Sequence, residues 1–443
     1  MADVRIAGGQ GFYGDSTDTT RALSQECDYL ILEGLAELTL AILQKDRARN
    51  PDAGYVRDLL AHAREFLPAV AAGRCRVVTN SGGLAPAAAA AAVAELAGEL
   101  GVAVTIATVT GDDVRDLLPG GDSAVVPDPG DIRFASAYLG AAPIVSALDG
   151  GAQIVITGRV ADSALFLAPL VHEYRWAWDD WDRLAAGTVI GHLMECSGQA
   201  TGGNLSWRWW DSPSPWLLPY PIATVAGDGT AILAKVAGSG GLVTRETARE
   251  QLMYEIHDPT AYIVPDVVAN LSTVTLKTLG DDRVRVSGAT GRPATSTYKA
   301  LVCVGAGWMG ETHVGFGWPD APAKAHAFNE ILRRRAELSG LSVQEWCREV
   351  WGHDALLPGW PAAEPSEVVL RVAWRCPDRS TAARVARLVP PLYTSGPVPG
   401  MTAATHGFRF EPSELLRTVP VLLPKDEVDR QVRVTVREMA GAR

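Results

Sequence analysis

The stretch IAGGQGFYGDS, residues 6–16, fits three chemical templates. Gly9, Gly11 and Gly14 have the G-x-G-x-x-G spacing of a dinucleotide-binding turn. Glu33, roughly 20 residues further on, would then hold the ribose hydroxyls. Asp15 argues against this, because an anion directly after the third glycine opposes a pyrophosphate. Gly9, Gly14 and Ser16 space like a phosphate loop, but Asp15 stands where that loop needs lysine. Gly14-Asp15-Ser16 looks like the start of a GDS-type serine hydrolase. That chemistry needs a histidine oriented by an acid, and no D-x-x-H lies near the C-terminus.

A second constellation is ECSGQATGGN, residues 195–204. Glu195 beside Cys196 places a carboxylate next to a polar turn, and the amides of Gly202 and Gly203 are candidates to bind a carboxylate or phosphate. His192 and Glu195, three residues apart, share a helix face at a metal-ligand spacing, although a satisfied histidine is the plainer reading. His257, His313 and His406 stand apart from them. The six cysteines show no C-x-x-C spacing, so neither a zinc cluster nor a disulfide framework is indicated.

The elements that must carry these residues alternate strand and helix over the first 170 or so positions. VRIAGG, DYLILEG, CRVVTNSGG, VAVTIATVTG and AQIVITGR read as strands, with helices between them. Such a βαβ rhythm predicts an α/β fold with a doubly wound parallel sheet, whose ligands sit outside the carboxyl ends of the strands. The loops Gly9–Ser16, Glu33–Glu37, Asn80–Gly83, Thr110–Asp113 and Gly158–Asp162 would then line one edge. A tryptophan-rich, proline-rich stretch near residues 175–221 shifts the composition and suggests a boundary. The expected domains are residues 1–215, α/β with the Trp-rich junction, and residues 216–443, a packed α+β portion. PIATVAGDGTAILAKV predicts a hairpin turning at Asp228-Gly229.

Composition narrows the partners. The formal net charge of −11 repels phosphate backbones, so nucleic acid is not expected. The most apolar tract, LAPAAAAAAVAELAGEL, is too weak for a membrane span. No apolar signal region opens the sequence, and a reducing, cytoplasmic setting with a possible homo-oligomer is the expectation.

GFYGD, DYLILEGLAELTLA, TNSGGLAP, GAQIVITGRVADSAL, ECSGQATGGN and EQLMYEIHDPTAYIVPDVV occur in this order. Together they resemble the acyclic terpene utilisation protein A family over roughly residues 4–310. The resemblance implies a branched carboxylic acid or acyl-CoA substrate and highlights Gly14, Asp15, Glu37, Asn80, Gly82, Gly83, Gly158, Arg159, Asp162, Glu195, Gln199, Gly202 and Gly203. Glu33, Ser136 and Asn270 depart from the expected Asp, Asn and Asp. The expectation is a lyase- or hydratase-type enzyme with Asp15, Glu37 and Glu195 as the acid/base set. Arg159 would grip a carboxylate, oriented by Asp162, and Asn80, Gly82, Gly83, Gln199, Gly202 and Gly203 would bind substrate. The rivals are an NAD(P)-dependent oxidoreductase using the Gly9–Gly14 loop and a non-enzymatic subunit of an acyl-CoA-processing complex. The cofactor stays open, and so does a divalent metal on Asp15, Glu37 and Asp162.

Overall fold

A computed structural model describes residues 2–118, 131–357, 359, 364–397 and 411–439. The strands are β1 (Val4–Gln10), β2 (Tyr29–Leu32), β3 (Arg76–Thr79), β4 (Val104–Thr110), β5 (Ile132–Ala137), β6 (Ile154–Thr157), β7 (Pro221–Val225), β8 (Ala231–Lys235) and β9 (Tyr262–Ile263). They continue with β10 (Val268–Asn270), β11 (Thr275–Gly280), β12 (Arg283–Ser287), β13 (Thr290–Arg292), β14 (Thr297–Gly317), β15 (Glu345–Trp351), β16 (Glu367–Cys376), β17 (Ser413–Pro424) and β18 (Arg433–Met439). The helices of the first half are α1 (Thr20–Glu26), α2 (Glu37–Arg47), α3 (Leu59–Ala71), α4 (Pro86–Glu99), α5 (Ala142–Asp149), α6 (Ala164–Tyr174) and α7 (Trp181–Glu195). Those of the second half are α8 (Arg245–Met253), α9 (Ala321–Leu338), α10 (Arg379–Ala386), α11 (Leu392–Ser395) and α12 (Lys425–Asp429).

The chain forms two compact units. The larger takes residues 1–129, 133–302 and 419–443, and the smaller takes 130–132 and 303–418. The larger is built on a ten-stranded sheet of order β11-β12-β8-β7-β1-β2-β3-β6-β4-β18. Its centre, β1-β2-β3-β6-β4, is parallel. The sheet is mixed rather than purely parallel, because β7 joins β1 and β18 joins β4 in antiparallel pairing. β2 and β6 are apolar runs buried at every position, as strands covered on both faces must be. On one side Leu23 of α1, Phe66 and Leu67 of α3 and Val93 of α4 form a core with Leu30, Val77 and Ile156. Separately, α5 packs on α6 and α6 on α7.

The boundary expected at residue 215 falls inside this unit. β7 and β8 form the hairpin foreseen at Asp228-Gly229, and it extends the N-terminal sheet. Backbone pairing there outweighs the local change of composition that suggested a domain break. Trp207, Trp209, Trp210 and Trp216 are each more than 60% exposed, so they do not pack a junction. Within the smaller unit β16 pairs with β14 and β15, and α9 and α10 cover it, burying Phe328, Leu332, Trp374 and Val385. Among the described residues no helix is long and apolar enough to cross a membrane. His406 lies outside the described residues.

Candidate functional site

Parallel pairing of β1, β2, β3, β6 and β4 sends the five loops foreseen from the sequence to one edge of the larger unit. The centre of that edge is Arg159, in the loop after β6 and 1% exposed. One guanidinium nitrogen donates to Leu35 O at 2.5 Å, another donates to the Asp162 carboxylate, and the group lies 4.3 Å from the Tyr138 ring centroid. The backbone N–H of Arg159 donates to Asp112 Oδ2 at 2.9 Å. Among the described residues Arg159 Nε has no hydrogen-bond partner. Both terminal nitrogens of the guanidinium thus already donate to protein groups, which fixes its orientation.

Several acids surround this cation. Burial pushes the Asp162 carboxyl up, Arg159 opposes that shift, and the nearby Glu195 charge adds to it. Burial raises Glu33 strongly, and Asp162 reinforces the shift. Glu33 Oε1 accepts from Leu35 N and Asn80 Nδ2, each at 2.8 Å, while Asn80 Oδ1 accepts from Gly34 N at 2.9 Å. Asn80 is thus a clamp that orients Glu33. Burial acts to raise Glu37, but Tyr138 donates to its Oε1 at 2.7 Å, and with Arg159 and Lys299 it brings Glu37 below the ordinary carboxylate value. Lys299 Nζ lies 3.9 Å from Glu37 Oε1 and 4.7 Å from the Tyr138 ring centroid.

Beside this cluster lies a cavity of ≈310 Å³. Its polar lining includes Asp162, Tyr138, Tyr262 and Lys299, and its apolar wall includes Ile263, Val264, Pro265 and Leu422. Burial raises the Tyr262 phenol well above its ordinary value, with Glu195 and Asp162 adding to the effect. Tyr138, Tyr262 and Lys299 were not singled out from the sequence. They come from β9, the loop before α5 and the start of β14, and no shared motif or spacing marks them.

Other expected site residues are engaged in local contacts. Asp15 Oδ2 accepts from Gly11 N and Phe12 N at 2.8 and 3.0 Å and shapes its own loop. The groups that feel its charge are His62 and Tyr220. Asp15, Glu37 and Asp162 do not form a three-residue metal-ligating group among the described residues. The same loop carries the G-x-G-x-x-G spacing, so these two amides are already engaged by Asp15, and Glu33 is buried. Gly202 N and Gly203 N donate to Gln199 O and Gly198 O, which engages both proposed anion donors in a turn. Gln199 bonds Gln251 and Asn204.

Glu195 and His192 pair at 3.0 Å on α7 as the spacing suggested. Burial acts to lower His192, but Glu195 outweighs it and holds the ring above its ordinary value. Burial, then Glu195, pushes the Cys196 thiol up, so this cysteine is not a ready nucleophile. Gly82 has no room for a side chain against Thr157 O and the Pro86 backbone, and Gly83 has φ +55°, so both are structural requirements of the β3–α4 turn. Ser136 is buried, and Asn270 Oδ1 accepts from Ser272 in a turn.

Gly158 has no room either, because a Cβ would run into the Asp112 carboxylate. Gly158→Ala is expected to displace Asp112 from Arg159 N and to destabilise the larger unit by about 1–3 kcal/mol, the cost of overpacking. A thermal melt reads this directly, and an unchanged Tm would show that the loop has slack.

The larger unit is thus an α/β protein with a buried carboxylate–arginine cluster at the carboxyl edge of its parallel strands, beside a partly apolar cavity. The whole chain from residue 4 to residue 434 matches the family described as acyclic terpene utilisation family protein AtuA, and the protein belongs to that family. Membership implies a role in acyclic terpene utilisation. No curated protein matches the chain.

Proposed function

We propose that the protein is an enzyme that moves a proton next to the carbonyl of a branched carboxylic acid or its thioester, in a lyase- or hydratase-type reaction. The observation that carries this reading is the ≈310 Å³ cavity, where Asp162 and Lys299 share a lining with Ile263, Val264, Pro265 and Leu422. An apolar wall suits a branched hydrocarbon, and a cavity of this size suits a small acyl group. Asp162, raised by burial, is suited to exchange protons near neutral pH. It takes the proton from the carbon beside the carbonyl, and the bonding pair moves to the carbonyl oxygen. The Lys299 ammonium stabilises that oxygen. Expulsion of a β-substituent completes an elimination, and the reverse sequence is addition. Arg159 acts behind Asp162 as the fixed counter-charge.

This reading takes the sheet as doubly wound, with α1, α3 and α4 on one face and α5, α6 and α7 on the other, so that its ligand lies at the carboxyl ends. The engaged Gly11 and Phe12 amides weigh against the NAD(P) rival. Lys299→Ala tests the assignment, because Lys299 is half exposed and its removal leaves the buried cluster intact. Calorimetry with 3-methyl-branched carboxylates and their coenzyme A thioesters should show binding to the native protein and at least a tenfold loss in Lys299→Ala. Equal affinity in both proteins would remove Lys299 from the site.

A further inference from the structure

A cluster in the smaller unit lies outside everything above. His326 is on the second turn of α9, and His353 and Asp354 lie in the turn after β15. One ligand atom from each of the three falls within 4.8 Å of the others, near enough for small side-chain rotations to close them around one ion with bonds of about 2 Å. The His326 and His353 ring centroids are 6.3 Å apart, at 71°. The turn is fixed by the backbone, since His353 N and Asp354 N both donate to Val350 O at 3.1 Å.

The cluster is organised around a positive charge. Arg348, on β15, donates through one guanidinium nitrogen to His326 Nδ1 and through the other to Asp354 Oδ2 at 3.2 Å. His326 Nδ1 therefore presents a lone pair, not a proton, to the Arg348 guanidinium. Two imidazoles and a carboxylate are a donor set for zinc, cobalt, nickel or copper and a poor one for calcium or magnesium, which take oxygen ligands. Arg348 is 37% exposed on its side chain, so its long stem can swing into water and yield its place.

We propose that His326, His353 and Asp354 bind one divalent transition-metal ion, and that the ion competes with the Arg348 guanidinium for the same acceptors. Three protein ligands leave positions for water, so the site resembles open metal sites in its donor count.

The test is titration of the full-length, metal-stripped protein with Zn²⁺ by calorimetry and with Co²⁺ by its visible absorption. One ion per chain is expected, with His326→Ala and Asp354→Ala each weakening binding at least tenfold. Arg348→Ala should tighten it severalfold, which a merely structural arginine would not do. Circular dichroism and a melt establish that each variant is folded, and His326→Gln is the substitute if His326→Ala is not. Failure of both native and Arg348→Ala proteins to bind either ion overturns the site. Binding that is unchanged in His326→Ala and Asp354→Ala overturns it equally, by placing the metal elsewhere. Weaker binding in Arg348→Ala overturns the competition. None of these outcomes bears on Asp162 or Lys299, which lie in the larger unit.

Discussion

Raising the pH from about 5 to about 8 will destabilise the protein, and the larger unit is the source of the effect. Four of its carboxyl groups, Glu33, Asp112, Asp162 and Asp266, are raised above their ordinary values, with burial as the largest cause in each. Asp112 is pushed up to about 7 and Asp266 to about 6. A carboxyl raised by folding keeps its proton more tightly in the native chain than in the unfolded one. Its contribution is fully present below the unfolded value near 4 and is lost as the pH rises through the folded value. For Asp112, 7% exposed, the span from 3.8 to about 7 corresponds to roughly 4 kcal/mol. His192, also raised, acts in the same direction, whereas His62, lowered by burial, acts against it, and the four carboxyls outweigh that one histidine. Carboxyls that folding lowers, such as Glu37 and Asp149, lose their contribution only in acid, below the window in question.

Melts across that range should therefore show a falling Tm, against a total stability that for such units is about 5–15 kcal/mol. Asp112→Asn should flatten the fall, because asparagine can still accept from Arg159 N but has no proton to lose. A Tm that is level or rises over the same range would contradict the assignment of buried, proton-retaining acids.

Legibility in the sequence followed range. The five loops at the carboxyl edge were readable because each follows a short apolar strand, and a parallel sheet brings such loops together whatever their separation. His192 and Glu195 were readable from helical spacing. Lys299, Tyr138 and Tyr262 were not, because the contacts Tyr138 N to Lys299 O and His192 to Tyr262 join positions with no local signal between them. Burial was also hidden. Glu33, Arg159 and Asp15 each carry the charge that a site would use, yet the first two lie inside the protein and the third closes a turn on itself. A charged residue in a loop after a strand announces position, not availability. The antiparallel β7–β8 hairpin misled for a related reason. Its turn was plain, but which sheet it would join depends on the unpaired edge of β1, which local sequence does not display.

Asp162→Asn is expected to lower kcat/KM on a branched acyl substrate by about 10²–10⁴-fold, the usual contribution of a positioned acid or base. Asparagine keeps an acceptor for Arg159 and relieves the repulsion that Asp162 exerts on Glu33, so the fold should persist with a Tm close to native. The pH profile separates chemistry from structure. If Asp162 acts as base, native kcat/KM rises through a limb above the ordinary carboxylate range, because only the ionised form takes a proton, and the limb disappears in Asp162→Asn. Asp15→Asn is the matched comparison. Its amide oxygen can still accept from Gly11 N and Phe12 N, so a residue that only shapes its loop should leave the rate within about twofold, well inside the loss expected of a catalytic group. Native rate and native pH profile in Asp162→Asn, or a large rate loss confined to Asp15→Asn, would move the chemistry from the Arg159 cluster to the loop after β1.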